Sequence, residues 1–366
     1  MINNILLKHN EFTTNKAIDW VYEDGLAYNG IRTSVNDMAY NTEDGMYVII
    51  TDMGACATSY DGYEWTTQSN FYMASSGAPL KRVINFKGLN IVFGEMGNTC
   101  VTSPDGVNWT LQNSFFNAFG EQVIKSVSYN DNIVIAVGEN GKCAYSYDGI
   151  TWLTPDNFTE IFGIYIVYSI TYGNGKFVAV GASGRCATSP DGVTWTLQSD
   201  FTTKFGVKVA NNIIYVNDIF IAVGSTGACA TSPDGVTWTL QNDFTTKFGP
   251  GVVYKILYAN NMYIAVGANG RCVTSTDGVT WTLQSGFATK FISGASVSTA
   301  YSVTYGNGVF VVVGSNGKCA TSPDGVTWES VDNFKIASNG VIMYDIIYNN
   351  NVFISIGANS RCLISY

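Results

Sequence analysis

The side chains able to do covalent chemistry are few, and their placement suits little of it. His9 is the single histidine and precedes the first expected strand. Its isolation removes Ser–His and Cys–His nucleophile pairs and histidine metal sites. No glycine-rich phosphate loop opens a helix. The arginines number five, Arg32, Arg82, Arg185, Arg271 and Arg361, and the last three occupy equivalent points of a repeat, which spreads them around the molecule. Two carboxylates brought together by folding can hydrolyse a glycosidic bond, but no pair stands out. Eight cysteines remain: Cys56, Cys100, Cys143, Cys186, Cys229, Cys272, Cys319 and Cys362. They can pack, pair, or serve a metal or redox centre.

The spacing of these cysteines, 43 to 47 residues, belongs to the architecture. Trp65, Trp109, Trp152, Trp195, Trp238, Trp281 and Trp328 each follow a cysteine by nine residues, and Trp20 stands alone near the N-terminus. A period in the low forties marks propeller blades. The fourth unit shows the pattern: YSITYGNG, KFVAVGASG, RCATSPDG and VTWTLQ, four short β-rich segments separated by turn residues. The eighth unit stops three strands in, at Tyr366, and segment 17–22 with Trp20 fits the missing outer strand. The expected fold is all-β, an eight-bladed propeller of four antiparallel strands per blade over residues 17–366, closed by the N-terminal strand. Residues 1–16 are expected to be an attachment arm or a plain disordered terminus. Equivalent cysteines of neighbouring blades lie beyond the ~7 Å reach of a disulfide. Eight reduced, packed thiols are therefore expected, without metal or cofactor, which suits folding in a cytosol.

The turn between third and fourth strands repeats as SPDGVTW or a near variant, with Asp61, Asp105, Asp148, Asp191, Asp234, Asp277 and Asp324. Its aspartate can accept backbone N–H bonds across the turn while the tryptophan clamps the outer strand. The motif resembles the Asp-box (BNR) repeat of sialidase-like propellers, one residue shorter between Asp and Gly. The SxDGxxW array is similar to those of bacteriophage and bacterial proteins. That resemblance covers nearly the whole chain and implies a virion-associated protein of a tail or tail fibre. Such a protein is assembled in the bacterial cytoplasm and binds a host-surface glycan or a partner virion protein. A purely structural scaffold and a sialidase-like glycoside hydrolase are the alternatives. Sialidases use an arginine triad, and this chain's repeat-spaced arginines do not suggest one, so no enzyme is expected.

Candidate contact residues fall on the face carrying the long inter-blade connections, since variable loops on a rigid scaffold commonly carry binding. The residue before each cysteine is basic in five units, Lys142, Arg185, Arg271, Lys318 and Arg361, which suggests an incomplete cationic ring for an anionic partner. The bland reading is that these cations snorkel along the blades. The connections repeat Phe-x-x-x-Phe, including Phe201/Phe205 and Phe244/Phe248. Four-residue spacing brings the rings together on one helical turn, either to stack on a ligand or to cap the inter-blade core. On the first strands, Asp345, Asp37 and Arg82 fall in consecutive blades and form either a charged cluster or solvated channel lining.

The net charge is −9 and charged residues are 13% of the chain, which argues against nucleic acid as a partner. No run of 18 apolar residues is present, so no spanning helix is expected. The N-terminus lacks the basic start and long apolar stretch of a secretory signal.

Overall fold

The computed structural model describes residues 20–22, 34–62, 64–292, 298–359 and 361–365. The expected arm, residues 1–16, lies outside them. Eight antiparallel sheets follow one another along the chain, making an eight-bladed β-propeller. Blade 4 is typical: Val167–Gly173, Lys176–Gly181, Cys186–Ser189 and Thr196–Leu197 pair in sequence order. The first strand is innermost, and first strands of successive blades pack on one another round to blades 8 and 1.

Ring closure follows the expectation. Val21–Tyr22 pairs antiparallel with Cys362–Ser365 as the fourth strand of blade 8. Trp20 is buried and meets Phe334 edge-on at 4.9 Å, as the tryptophans of blades 2 to 7 meet a phenylalanine of the preceding connection. Its Nε1 has no hydrogen-bond partner among the described residues. The repeat tryptophans donate to the glycine carbonyl of their own turn, and the sequence has Ala17 where that glycine would precede Trp20.

Each blade buries both faces, which is why its second strand reads as an unbroken apolar run. Val178, Val180 and Cys186 pack forward against blade 5, while Phe177, Ala179, Ala187 and Trp195 pack back against blade 3. All eight cysteines are buried and none is in a disulfide, and burial drives thiols such as Cys186 and Cys229 well above their ordinary range. Close approach between inner strands is visible at Gly173, where an added Cβ would lie 2.0 Å from the Tyr215 ring of the next blade.

Two departures have local causes. The fourth strands are only two residues long and begin after the tryptophan, whose side chain turns inward. In blade 3 the outer strand is reduced to a bridge between Tyr145 and Leu153. Pro155 stands there where Gln198 donates its N–H to the Cys186 carbonyl in blade 4, and proline has no N–H to donate. The long connections also carry short helices, seven among the described residues, where the sequence suggested isolated helical turns at most.

Candidate functional site

The four-stranded order puts the first and third turns of each blade on one face. The second turns and the helical connections lie on the other. We call these the turn face and the helix face.

On the turn face, each serine and aspartate closes a small hydrogen-bonded unit. In blade 5 the Ser232 hydroxyl donates to Asp234 Oδ1 at 3.0 Å and accepts the Gly235 N–H at 2.8 Å. Asp234 Oδ1 accepts the N–H groups of Val236 and Thr237, and Trp238 Nε1 donates to the Gly235 carbonyl at 3.1 Å. Gly235 takes φ +72°, where a side chain would be strained and would also meet Val178 of the previous blade. The same arrangement at Asp61, Asp105, Asp148, Asp191, Asp277 and Asp324 explains the motif as a fold device. Hydrogen bonds from Thr280 and Val279 hold the Asp277 carboxyl down at about 2, and Asp105 is lowered in the same way by Asn108 and Val107. These carboxylates are ionised acceptors and are not poised as general acids.

On the helix face, the four phenylalanines proposed to touch a ligand are corrected. Phe201, Phe205, Phe244 and Phe248 are each 0% exposed. Within each helix the two rings stack, at 4.7 Å for Phe201/Phe205 and 5.5 Å for Phe244/Phe248. The first ring then meets the next blade's tryptophan edge-on, Phe201 to Trp238 and Phe244 to Trp281, both at 4.7 Å. They cap the inter-blade core, where Phe201 and Phe244 each find an aromatic partner on both sides.

The five basic positions are half-buried. Arg185 donates to the Ile161 carbonyl in the last turn of helix Phe158–Phe162 and lies 4.7 Å from the Tyr165 ring centroid. The Arg271 guanidinium lies against Gly249, just past helix Asn242–Phe248. Burial lowers the pKa of Lys318, with Lys335 acting the same way and Asp332 opposing. Lys142 and Arg361 hold the equivalent strand-leading position in blades 3 and 8. Arg185 also borders a groove of ≈ 430 Å³ with Tyr165, Ser183, Ser199, Thr202 and Val207 among its walls.

Asp37, Arg82 and Asp345 do come together. Asp37 Oδ2 accepts the Val83 N–H of the next blade at 2.9 Å, and Arg82 donates onward to the Lys125 carbonyl at 3.2 Å. Asp345 Oδ1 accepts the Ser302 hydroxyl at 2.5 Å. Burial raises Asp37 to about 6, against the pull of Arg82 and the Val83 N–H, with Asp345 adding to the rise. In the neighbouring inner strands Ser126 and Ser169 accept the N–H groups of Ile170 and Ile213, so the cluster is one arc of an inter-blade latch.

Two sets of positioning residues escaped the sequence reading. Gln198 and its counterparts donate to a threonine of the third strand, such as Thr188 at 2.7 Å, and the repeated CATS and TWTLQ segments carried that signal. Asp200 and Asp243, early in their helices, accept the N–H of the tryptophan 38 residues later at 2.7 Å.

No group of three or more potential metal ligands occurs among the described residues. No described helix is long and apolar enough to cross a membrane. No protein-family model matches the chain, and no curated protein matches it. Solved structures match over most of its length. YCF48 bound to a D1 peptide is 15% identical with a TM-score of 0.56, covering 96% of this chain and 98% of that one. The computationally designed Ika8 protein is 12% identical with a TM-score of 0.67, covering 95% and 99%. The Dos1 propeller is 11% identical with a TM-score of 0.62, covering 95% of both chains. At these identities the likeness establishes the β-propeller fold.

Proposed function

We propose that this chain is a non-catalytic binding propeller that presents its helix face to a macromolecular partner. On the finer scale it is a virion-associated protein of a bacteriophage tail or tail fibre, and the partner is a host-surface glycan. The observation that carries the binding reading is the helix face itself. It exposes large side chains that differ from blade to blade: Met73 at 79%, Ile164 at 81%, Val207 at 85% and Ile336 at 82%. A folding requirement would repeat with the blades, as the turn motif does, whereas recognition of an irregular partner does not. The phage assignment rests on the SxDGxxW resemblance alone.

The protein-scaffold reading has one observation of its own, the solved propeller with a bound peptide among the similar structures. A glycan array and whole-cell binding assay of the purified protein separates the two. Saturable binding to a cell-surface glycan supports the adhesin. Absence of binding to every glycan and cell overturns it in favour of a scaffold held by neighbouring proteins.

A further inference from the structure

In all eight blades the pairing of first and second strands slips at the same point. The ladder runs Val167↔Gly181 and then Ser169↔Val180, leaving Tyr168 over, and each of the other seven inner strands leaves over its second residue. A β-bulge takes one residue out of register and re-aims its side chain. Here that residue sits where the innermost strand begins, on the helix face, so eight bulges form the rim of the axial mouth.

The rim carries lysine in blades 2 and 3, asparagine in blades 1 and 5, and tyrosine in blade 4 (Tyr168) and in the three consecutive blades 6 to 8. Blades 6, 7 and 8 place Tyr254, Tyr301 and Tyr344 there, with successive ring centroids 5.3 and 6.4 Å apart. Tyr254 and Tyr344 are 41% and 40% exposed, so the arc faces outward and is not filling core. Blades 2 and 3 place Lys81 and Lys125 there, and in an eight-fold ring those blades stand opposite 6 and 7. Lys125 pairs with Glu139 at 2.9 Å, whereas Lys81 has no ion-pair partner among the described residues. The acids one layer deeper, Asp37 and Asp345, already accept bonds from the Val83 N–H and the Ser302 hydroxyl.

We propose that this mouth binds a carboxylated glycan, with a sugar ring stacked on the Tyr254/Tyr301/Tyr344 arc and the carboxylate held by Lys81. An aromatic arc facing a cation matches a ligand with one apolar face and one anionic edge. A peptide adding as a strand is disfavoured, because the bulges interrupt the free edge it would pair with. The assignment rests on the glycan-binding reading above and gives it a site and a ligand class.

Isothermal titration of the purified full-length chain with an oligogalacturonate tests it, with a neutral oligosaccharide of equal length and an oligoglutamate as the other arms. Tyr301→Ala and Lys81→Gln are each expected to weaken uronate binding about tenfold, with unchanged thermal stability. Val236→Ser, on the turn face, is expected to leave the affinity unchanged. Equal or tighter binding of the neutral sugar or the acidic peptide overturns the assignment, as does uronate binding insensitive to both rim variants. Should the wild-type chain ignore uronate but bind cells or other glycans, the mouth assignment fails and the adhesin stands. If it binds no glycan or cell, both fail.

Discussion

The two faces of this propeller use similar raw material to different ends. On the turn face, exposed valines recur in the same place, Val107, Val236, Val279 and Val326, each following a glycine of the serine–aspartate turn. On the helix face, exposed side chains change from blade to blade while the buried ones recur, as stacked phenylalanine pairs in five of the seven described helices. Repetition therefore marks what the fold needs, and departure from repetition marks the surface free to specialise. The loudest motif in the chain accordingly lies on the face assigned no ligand.

The largest expected effect tests whether the phenylalanines are structural. Phe201→Ala empties a site between two blades and removes the edge of Trp238, and is expected to cost about 3–5 kcal/mol in denaturant unfolding. Stability close to wild type with lost binding would return Phe201 to the ligand surface.

The next effect lies where blades 8, 1 and 2 meet. Because the folded state raises the Asp37 carboxyl to about 6, its contribution to stability is full below the ordinary carboxylate value and is lost as pH rises through about 6. Asp37→Asn keeps an acceptor for the Val83 N–H without that charge. Relative to wild type, the variant is expected to gain about 2 kcal/mol between pH ~4 and pH ~7. Thermal melts of both proteins across that range measure it, and parallel curves would remove Asp37 from the account. The turn aspartates Asp105, Asp148, Asp191, Asp234, Asp277 and Asp324 run the other way. Their depressed carboxyls stabilise the fold above the ordinary value, and that contribution is lost as pH falls towards about 2 at Asp277.

A smaller loss is expected on the turn face. Ser232→Ala leaves the Gly235 N–H and one aspartate lone pair without their partner, costing about 1–2 kcal/mol. Binding to any partner should be unchanged, and a binding defect at native stability would blur the distinction between faces. The smallest change in stability belongs to the helix face, where Val207→Ser and Ile336→Ser are expected to stay within about 0.5 kcal/mol of wild type while weakening binding. Unfolding curves and cell binding on the same preparations check both halves of that statement.

The blade count, the closing tryptophan and the unbridged thiols were legible in the sequence because each follows from a period or its interruption. The serine–aspartate turn was legible because its contacts lie within three residues. The direction of Phe201 and Phe205 was not, since a spacing of four brings two rings together without saying which side they face. Trp238, more than thirty residues away, decides that. The polar rim of the mouth was hidden for a related reason: strand alternation predicts facing until a bulge resets it, and no glycine marks these bulges. The shortened outer strand of blade 3 was readable in principle from Pro155, which replaces a hydrogen-bond donor.

The division of labour between faces is tested most directly by charging each in turn. One variant carries Ile164→Lys, Val207→Lys and Ile336→Lys on the helix face. The other carries Val107→Lys, Val236→Lys and Val279→Lys on the turn face. Both are compared with wild type for saturable binding to a glycan array and to whole bacterial cells. Binding kept by the turn-face variant and lost by the helix-face variant is the expected result. Loss in the turn-face variant with retention in the other would contradict the account.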